Sequence, residues 1–216
     1  MPFTSEGVPL LNEFVDRASE MEGLERYLFS TRQRRRRKVV VLNGLGGIGK
    51  TQLSIEFARR HCLRFSAVFW LDGRSKDSLR RSLAAIASRI PKGQILESSR
   101  AHSPGSTEEL DAAIKNVMDW LSIPDNASWL LILDNVDQDY RDPHAGPDAY
   151  DVRSYYPVAD HGSILITTRL IGLEQLGTPL RVGRVDKEQA LAIFRNGYGR
   201  DFQGRLLRSC VKSLVE

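Results

Sequence analysis

Val39-Val40-Val41-Leu42-Asn43-Gly44-Leu45-Gly46-Gly47-Ile48-Gly49-Lys50-Thr51 is a β-branched run that ends in a glycine-rich turn, with a lysine and a threonine where a helix would begin. The spacing reads as a phosphate-binding loop. A polyphosphate can be wrapped by backbone only if successive N–H groups turn inward without Cβ atoms in the way, and four glycines within the six positions 44–49 permit that. A helix starting near Lys50 would point its unpaired N–H groups and positive dipole end at the same anion. Lys50 then reaches the β- and γ-phosphates of a nucleotide, and the Thr51 hydroxyl can ligate Mg²⁺. A pattern with four fixed positions should arise by chance on the order of one time in a hundred in a chain of this length.

Outward from this loop, apolar runs alternate with helical patterns. Downstream, Leu53, Ile55, Phe57 and Ala58 predict a helix ending near His61-Cys62, and the run 66–71 predicts a strand covered on both faces. Leu79, Leu83, Ile86 and Ile90 predict an amphipathic helix over 75–90, stopped at Pro91. Residues 92–106 are polar with Pro and Gly and read as a mobile connection. Thr107-Glu108-Glu109 opens a helix whose apolar face is Ile114, Val117, Met118 and Leu121. Upstream, residues 1–13 read as extended. Met21, Leu24, Tyr27 and Leu28 mark a first helix, and the basic run 32–38 follows it. That run could serve nuclear import or nucleic acid; its place between a helix and a buried strand favours a solvated loop.

The second informative stretch is Trp129-Leu130-Leu131-Ile132-Leu133-Asp134. An apolar strand ending in a carboxylate puts that charge at the carboxyl edge of a parallel sheet, where open α/β folds bind ligands. Asp134 can hold Mg²⁺ through water opposite Thr51, or simply end a strand. Residues 135–161 lack periodicity and read as a long surface loop. Gly162 to Arg169 is another buried strand; Arg169 at its end either faces a terminal phosphate or pairs with an acid. Leu180-Arg181-Val182 is a last strand, Asp186 caps a helix through Ala190 and Phe194, and 201–216 reads as a final, uncapped helix. The alternation predicts an α/β fold: a five-stranded parallel sheet with helices on both faces.

Bulk properties agree. The 216 residues, 41% hydrophobic and 27% charged, can bury a core. No apolar run is long enough to span a membrane, and Cys62 and Cys210 are too few for a disulfide framework. A soluble, cytoplasmic protein is expected. The net charge of +4 is mild and makes nucleic acid an unlikely partner.

In combination, these blocks resemble the NB-ARC nucleotide-binding domain of the STAND P-loop NTPases, which include plant disease-resistance proteins, the apoptosome-forming regulator of animals and NOD-like receptors. Phe14-Val15-Asp16-Arg17 resembles the segment beside the adenine, Gly44 to Thr51 the phosphate loop, Leu130 to Asp137 the Walker B strand, and Gly162 to Arg169 the sensor strand with its Thr-Thr-Arg ending. Val182 through Phe194 resembles the strand and helix that follow. Asp16 and Ala18 depart from the family's Gly and Glu, and Asn135 stands where many relatives carry a second acid. An amide cannot serve as a general base at neutral pH; Asp137 is the possible substitute.

The resemblance implies a P-loop NTPase fold of the ASCE/AAA-like kind and an adenine-nucleotide site that takes ATP or ADP with Mg²⁺. Phe14, Val15 and Arg17 would border the adenine. Gly44, Gly46, Gly47, Ile48, Gly49, Lys50, Thr51 and Gln52 would surround the phosphates, Thr51 and Asp134 would hold the metal, and Lys50, Asp134 and Arg169 would carry the chemistry. It implies residues 1–37 as an N-terminal segment bordering the adenine and 38–216 as the P-loop domain, in a fragment that stops before helical and winged-helix domains and sensor repeats. The fragment alone is expected to be monomeric, and the full-length protein to self-associate. The implied function is a signalling switch, of the kind used in innate immunity and programmed cell death, in which slow ATP hydrolysis controls domain rearrangement. The alternatives are a turnover AAA-type ATPase and a non-hydrolysing scaffold stabilised by nucleotide. A small nucleotide kinase would need an arginine-rich lid, which is not evident, and no Asn-Lys-x-Asp guanine-reading tetrad is present.

Overall fold

The computed structural model describes residues 14–30, 36–100, 106–138, 146 and 149–198. Five strands, β1 (Lys38–Asn43), β2 (Val68–Asp72), β3 (Leu130–Asp134), β4 (Ser163–Thr168) and β5 (Thr178–Arg181), form one sheet in the order β2-β3-β4-β1-β5. Every pairing is parallel. The helices are α1 (Ala18–Leu28), α2 (Lys50–His61), α3 (Lys76–Ala85), α4 (Thr107–Leu121) and α5 (Lys187–Tyr198).

Strands β1 to β4 look uniformly apolar because each of their faces meets its own core. Val41, Phe69, Leu71, Leu131, Leu133, Ile164 and Ile166 point to the side covered by α3 and α4, with Leu79, Leu83, Val117 and Trp120. Val40, Leu42, Val68, Trp70, Leu130, Ile132 and Leu165 point to the other side, against Met21, Leu24 and Leu28 of α1 and Leu53 and Phe57 of α2. Successive residues alternate between the faces, as the pleat requires. The predicted two-sided α/β sandwich is therefore the one observed.

Local chemistry sets the helix starts. The Ser75 hydroxyl accepts from the Ser78 N–H at 3.1 Å, and that of Ser106 from the Glu109 N–H at 3.2 Å. Asp186 and Gln189 cap α5 reciprocally, each side chain bonding the other's backbone N–H.

Three expectations are corrected. The helix predicted over 75–90 keeps α geometry only to Ala85; Ile86–Arg89 tighten into 3₁₀ turns, which still bury Ile86 and Ala87. The connection 92–106, expected to be mobile, is tied down where it is described. Gln94 accepts from Trp120 Nε1 at 2.7 Å, Ser99 from Asn116 Nδ2 at 2.7 Å, and Arg100 donates to the carbonyls of Ile90 and Ser88. The predicted surface loop 135–161 returns to the core, where Tyr150 is buried ahead of a 3₁₀ turn at Val152–Tyr155 whose first residue, Val152, is buried too. The extended segment 1–13 and the helix 201–216 lie outside the described residues.

The described end of the basic run serves the fold. Lys38 Nζ donates to Leu28 O at 2.7 Å and Ser30 O at 2.9 Å, closing the end of α1. Arg37 donates to Pro157 O and stacks on Tyr156. At the sheet margins, the β2 backbone bonds to side chains: Asp72 N–H donates to Ser82 Oγ at 3.2 Å, and Val68 O accepts from Arg89 Nη2 at 3.1 Å. The opposite marginal strand, β5, contains Pro179.

Candidate functional site

The register aligns Asn43 with Thr168 and Asp72 with Asp134, so the exits of β1 to β4 share the carboxyl edge of the sheet. The glycine loop leaves β1 there. Gly47 and Gly49 take φ of 75° and 98°, conformations that a Cβ would strain, and Gly49 is the residue from which α2 springs. No acidic residue occupies the first turn of α2, so its N-terminal dipole is left available to an anion.

Lys50 folds back over the loop, its Nζ donating to Gly44 O at 2.7 Å and Leu45 O at 2.9 Å. Burial pulls its pKa below the ordinary lysine value, against the opposing pull of the Asp137 and Asp134 carboxylates. Asp134 is 3% exposed. Its Oδ1 accepts from Thr167 Oγ1 at 2.6 Å and Thr51 Oγ1 at 2.9 Å, and its Oδ2 from Asn135 Nδ2 at 3.0 Å. Burial raises its pKa, while the Thr167 and Thr51 hydroxyls act in the opposite sense. A hydroxyl and a carboxylate side by side are hard oxygen donors of the kind Mg²⁺ takes.

Asn135 adopts a left-handed φ of 60°, held by its N–H on Thr167 Oγ1 at 2.9 Å. Its amide is turned to Asp134, and the next carboxylate, Asp137, meets Arg169. Asp137 accepts from the Arg169 N–H at 2.7 Å and from Nε at 2.6 Å. Of the two alternatives for Arg169, the pairing with an acid is observed; the side chain also stands beside the loop, where a Cβ on Gly46 would lie 3.4 Å from its Cδ.

A cleft of about 580 Å³ runs along this edge, lined by Gly46 to Gln52 together with Arg74, Asn135, Asp137, Gln138 and Arg169. Phe14, Val15, Arg17 and Gly44 are not among its lining residues. Arg17, 5% exposed, grips the loop by donating to Ile48 O at 2.7 Å and to Gly183 O, with Glu20 Oε1 at 3.1 Å. Gly44 is pinned behind the loop, where a Cβ would come within 2.7 Å of Val182 O.

Sequence reasoning missed Thr167, Gln138 and Arg74. Thr167 was visible only as part of a motif; its bond to Asp134 depends on β4 lying next to β3. Arg74 follows the Asp72-Gly73 turn that ends the β2 run, and nothing local shows that β2 also neighbours β3.

No protein-family model and no curated protein matches the sequence. Among solved structures, the chain is similar to a signal transduction ATPase with numerous domains (STAND) protein with a tetratricopeptide repeat sensor from Pyrococcus horikoshii. The identity is 19% and the TM-score 0.53, over 99% of this chain and 29% of that one. It is also similar to the Aeropyrum pernix ORC2 protein, in ADPNP–ADP complexes, at 15% identity and TM-score 0.55, over 95% of this chain and 58% of that one. The ORC1 protein of the same organism, in complex with DNA, gives 14% and 0.54 over 96% and 56%. The chain spans less than two thirds of each of these proteins. At such identities the likeness is one of fold, and the fold is that of the P-loop ATPases. Among the described residues no helix is long and apolar enough to cross a membrane.

Proposed function

We propose that the chain is the nucleotide-binding lobe of an ATP/ADP-dependent switch of the NB-ARC class of STAND ATPases. The observation that carries this reading is the network joining Thr51, Asp134, Thr167 and Asn135, set beside an Arg169 that is tethered to Asp137 on the rim of the same cleft. When bound, Mg²⁺ supplies charge neutralisation to the phosphates, and Thr51 and Asp134 are the residues that would hold it. The N–H groups of the loop bind phosphates common to ADP and ATP, and Lys50 reaches both the β- and the γ-phosphate. Arg169 adds affinity for the γ-phosphate by exchanging its carboxylate for it, which is the differential affinity that a population shift requires.

Slow hydrolysis follows from Asn135. Its side chain is an amide already engaged with Asp134, and neither feature suits a base for the attacking water. Arg17 connects the loop to the segment after β5, so the start of α1 acts on the nucleotide site through the loop backbone. Phe14 and Val15 remain assigned to the adenine side, with 38–216 as the P-loop domain, in a cytoplasmic protein whose further domains close over the nucleotide and whose assembly the nucleotide controls.

Calorimetric titration of ADP and of a non-hydrolysable ATP analogue with Mg²⁺, on wild type and Lys50→Ala, tests the reading; a phosphate-release assay follows. Binding by wild type, loss in the mutant and slow release are expected. Fast multiple turnover would instead favour an AAA-type ATPase, and binding with no product at all would favour a scaffold.

A further inference from the structure

Arg74 sits on a turn fixed more firmly than a surface arginine needs. The Gly73 N–H donates to Asp134 O at 2.7 Å, and Gly73 O accepts from the buried Tyr150 hydroxyl at 2.6 Å. A Cβ on Gly73 would lie 2.6 Å from Val136 Cγ2 and 2.9 Å from Asp134 O, so only glycine allows the turn to press this closely on the exit of β3. The Arg74 N–H donates to Asp72 Oδ1 at 3.1 Å. With its backbone so held, Arg74 has only its side chain to move, and that side chain lines the cleft.

The two cleft walls are built alike. On one, Arg169 is paired with Asp137. On the other, Arg74 is paired with Asp72 through Nε at 2.9 and 3.1 Å and Nη2 at 2.6 Å, while 71% of its side chain stays exposed. Each guanidinium is thus pre-positioned on a carboxylate and accessible to an anion. Among the described lining residues the charged ones are Lys50, Arg74, Arg169 and Asp137, a cation excess that suits a polyanion. The loop would serve the phosphates that a di- and a triphosphate share; Lys50 and the wall residues that come from the ends of β2, β3 and β4 are where an additional phosphate would find partners.

We propose that Arg74 is a second cation, besides Arg169, that recognises the terminal phosphate of a nucleoside triphosphate, leaving Asp72 to do so. This inference rests on the nucleotide-switch reading above. Planar guanidinium suits the task because it can offer two parallel donors to phosphate oxygens.

Titrations with Mg²⁺ and either ADP or a β,γ-non-hydrolysable ATP analogue test it. Arg74→Ala is expected to weaken analogue binding about 10-fold, the low end for a charge-assisted hydrogen bond because the site is wet, and to leave ADP within about twofold. Arg74→Lys is expected to recover part of that loss, and Asp72→Asn, which removes the competing carboxylate, to tighten analogue binding severalfold. If Arg74 only clasps its turn, Arg74→Ala and Asp72→Asn will lower thermal stability together and move both nucleotides alike, which overturns the proposal. Failure of the underlying reading looks different: wild type binds neither nucleotide, or Lys50→Ala binds both as wild type does, and either result sinks both.

Discussion

Thr167→Val isolates the bond that orients the candidate metal carboxylate. Thr167 is fully buried, and valine has nearly its shape, so the substitution leaves no cavity and removes one hydroxyl. That hydroxyl donates to Asp134 at 2.6 Å and accepts from the Asn135 N–H at 2.9 Å. A hydrogen bond to a charged group contributes about 1.5–3 kcal/mol, and the part-buried Asn135 N–H left without its partner costs no more than the low end of about 1–3 kcal/mol. Thr51 still donates to Asp134 in the variant, which softens the first loss. A destabilisation of about 2–4 kcal/mol at neutral pH is therefore expected, or a fall in Tm of about 5–15 °C for a domain of this size.

The pH dependence gives the sharper test. Burial holds the folded pKa of Asp134 above its ordinary value. Ionising it in the folded chain therefore costs stability: that contribution is full below the unfolded pKa and is lost as pH rises through the folded one. Losing the Thr167 donor raises the folded pKa further, so the variant's deficit should grow from acid to neutral pH. Urea unfolding of wild type, Thr167→Val and Thr167→Ser at several pH values measures this, with Thr167→Ser keeping the hydroxyl and most of the stability. A Thr167→Val deficit below about 0.5 kcal/mol, or one that is the same at every pH, would refute the reasoning.

Arg17→Lys should behave nearly as badly as Arg17→Ala, because one ammonium cannot replace a guanidinium that reaches Ile48 O, Gly183 O and Glu20 together; thermal melts should show about 2–4 kcal/mol lost in both, and hydrogen exchange should speed up at residues 46–50. Gly73→Ala should destabilise by about 1–3 kcal/mol, since the new Cβ meets the Asp134 carbonyl and not just a movable side chain; Val136→Ala, which clears only the side-chain clash, should not rescue it. Asn135→Asp places a second carboxylate against Asp134, so the nucleotide-free protein should melt lower while phosphate release in the presence of Mg²⁺-ATP rises; unchanged release would show that Asn135 is not what limits hydrolysis.

What the sequence revealed was local. The phosphate loop, the carboxylate ending β3 and the Thr-Thr-Arg ending β4 are each written in consecutive residues, and each appears at the carboxyl edge of the sheet. What stayed hidden depends on neighbours far apart in the chain. Residues 92–100 look like a free linker because their anchors, Trp120, Asn116 and the Ile90 carbonyl, are supplied by other elements. Tyr150 looks like one polar-edged residue in a proline-containing stretch, yet it holds the turn that carries Arg74. The alternation within β1 to β4 was invisible because both faces are apolar, and hydropathy cannot separate two cores. Arg17 is expected at the adenine from its motif alone; its grip on the loop backbone depends on β5 bringing Gly183 alongside.

The side-chain bonds along the outer margin of β2 bear on how copies of this chain can meet. An uncovered marginal strand is a template that another chain can extend, the usual first step of edge-to-edge association and fibre growth. Here Ser82 and Arg89 already occupy a backbone donor and a backbone acceptor of β2, and Pro179 has no N–H to offer on β5. Both ends of the sheet are thereby poor templates for strand addition. Contact between copies is steered away from the sheet margins, toward helix faces and loops.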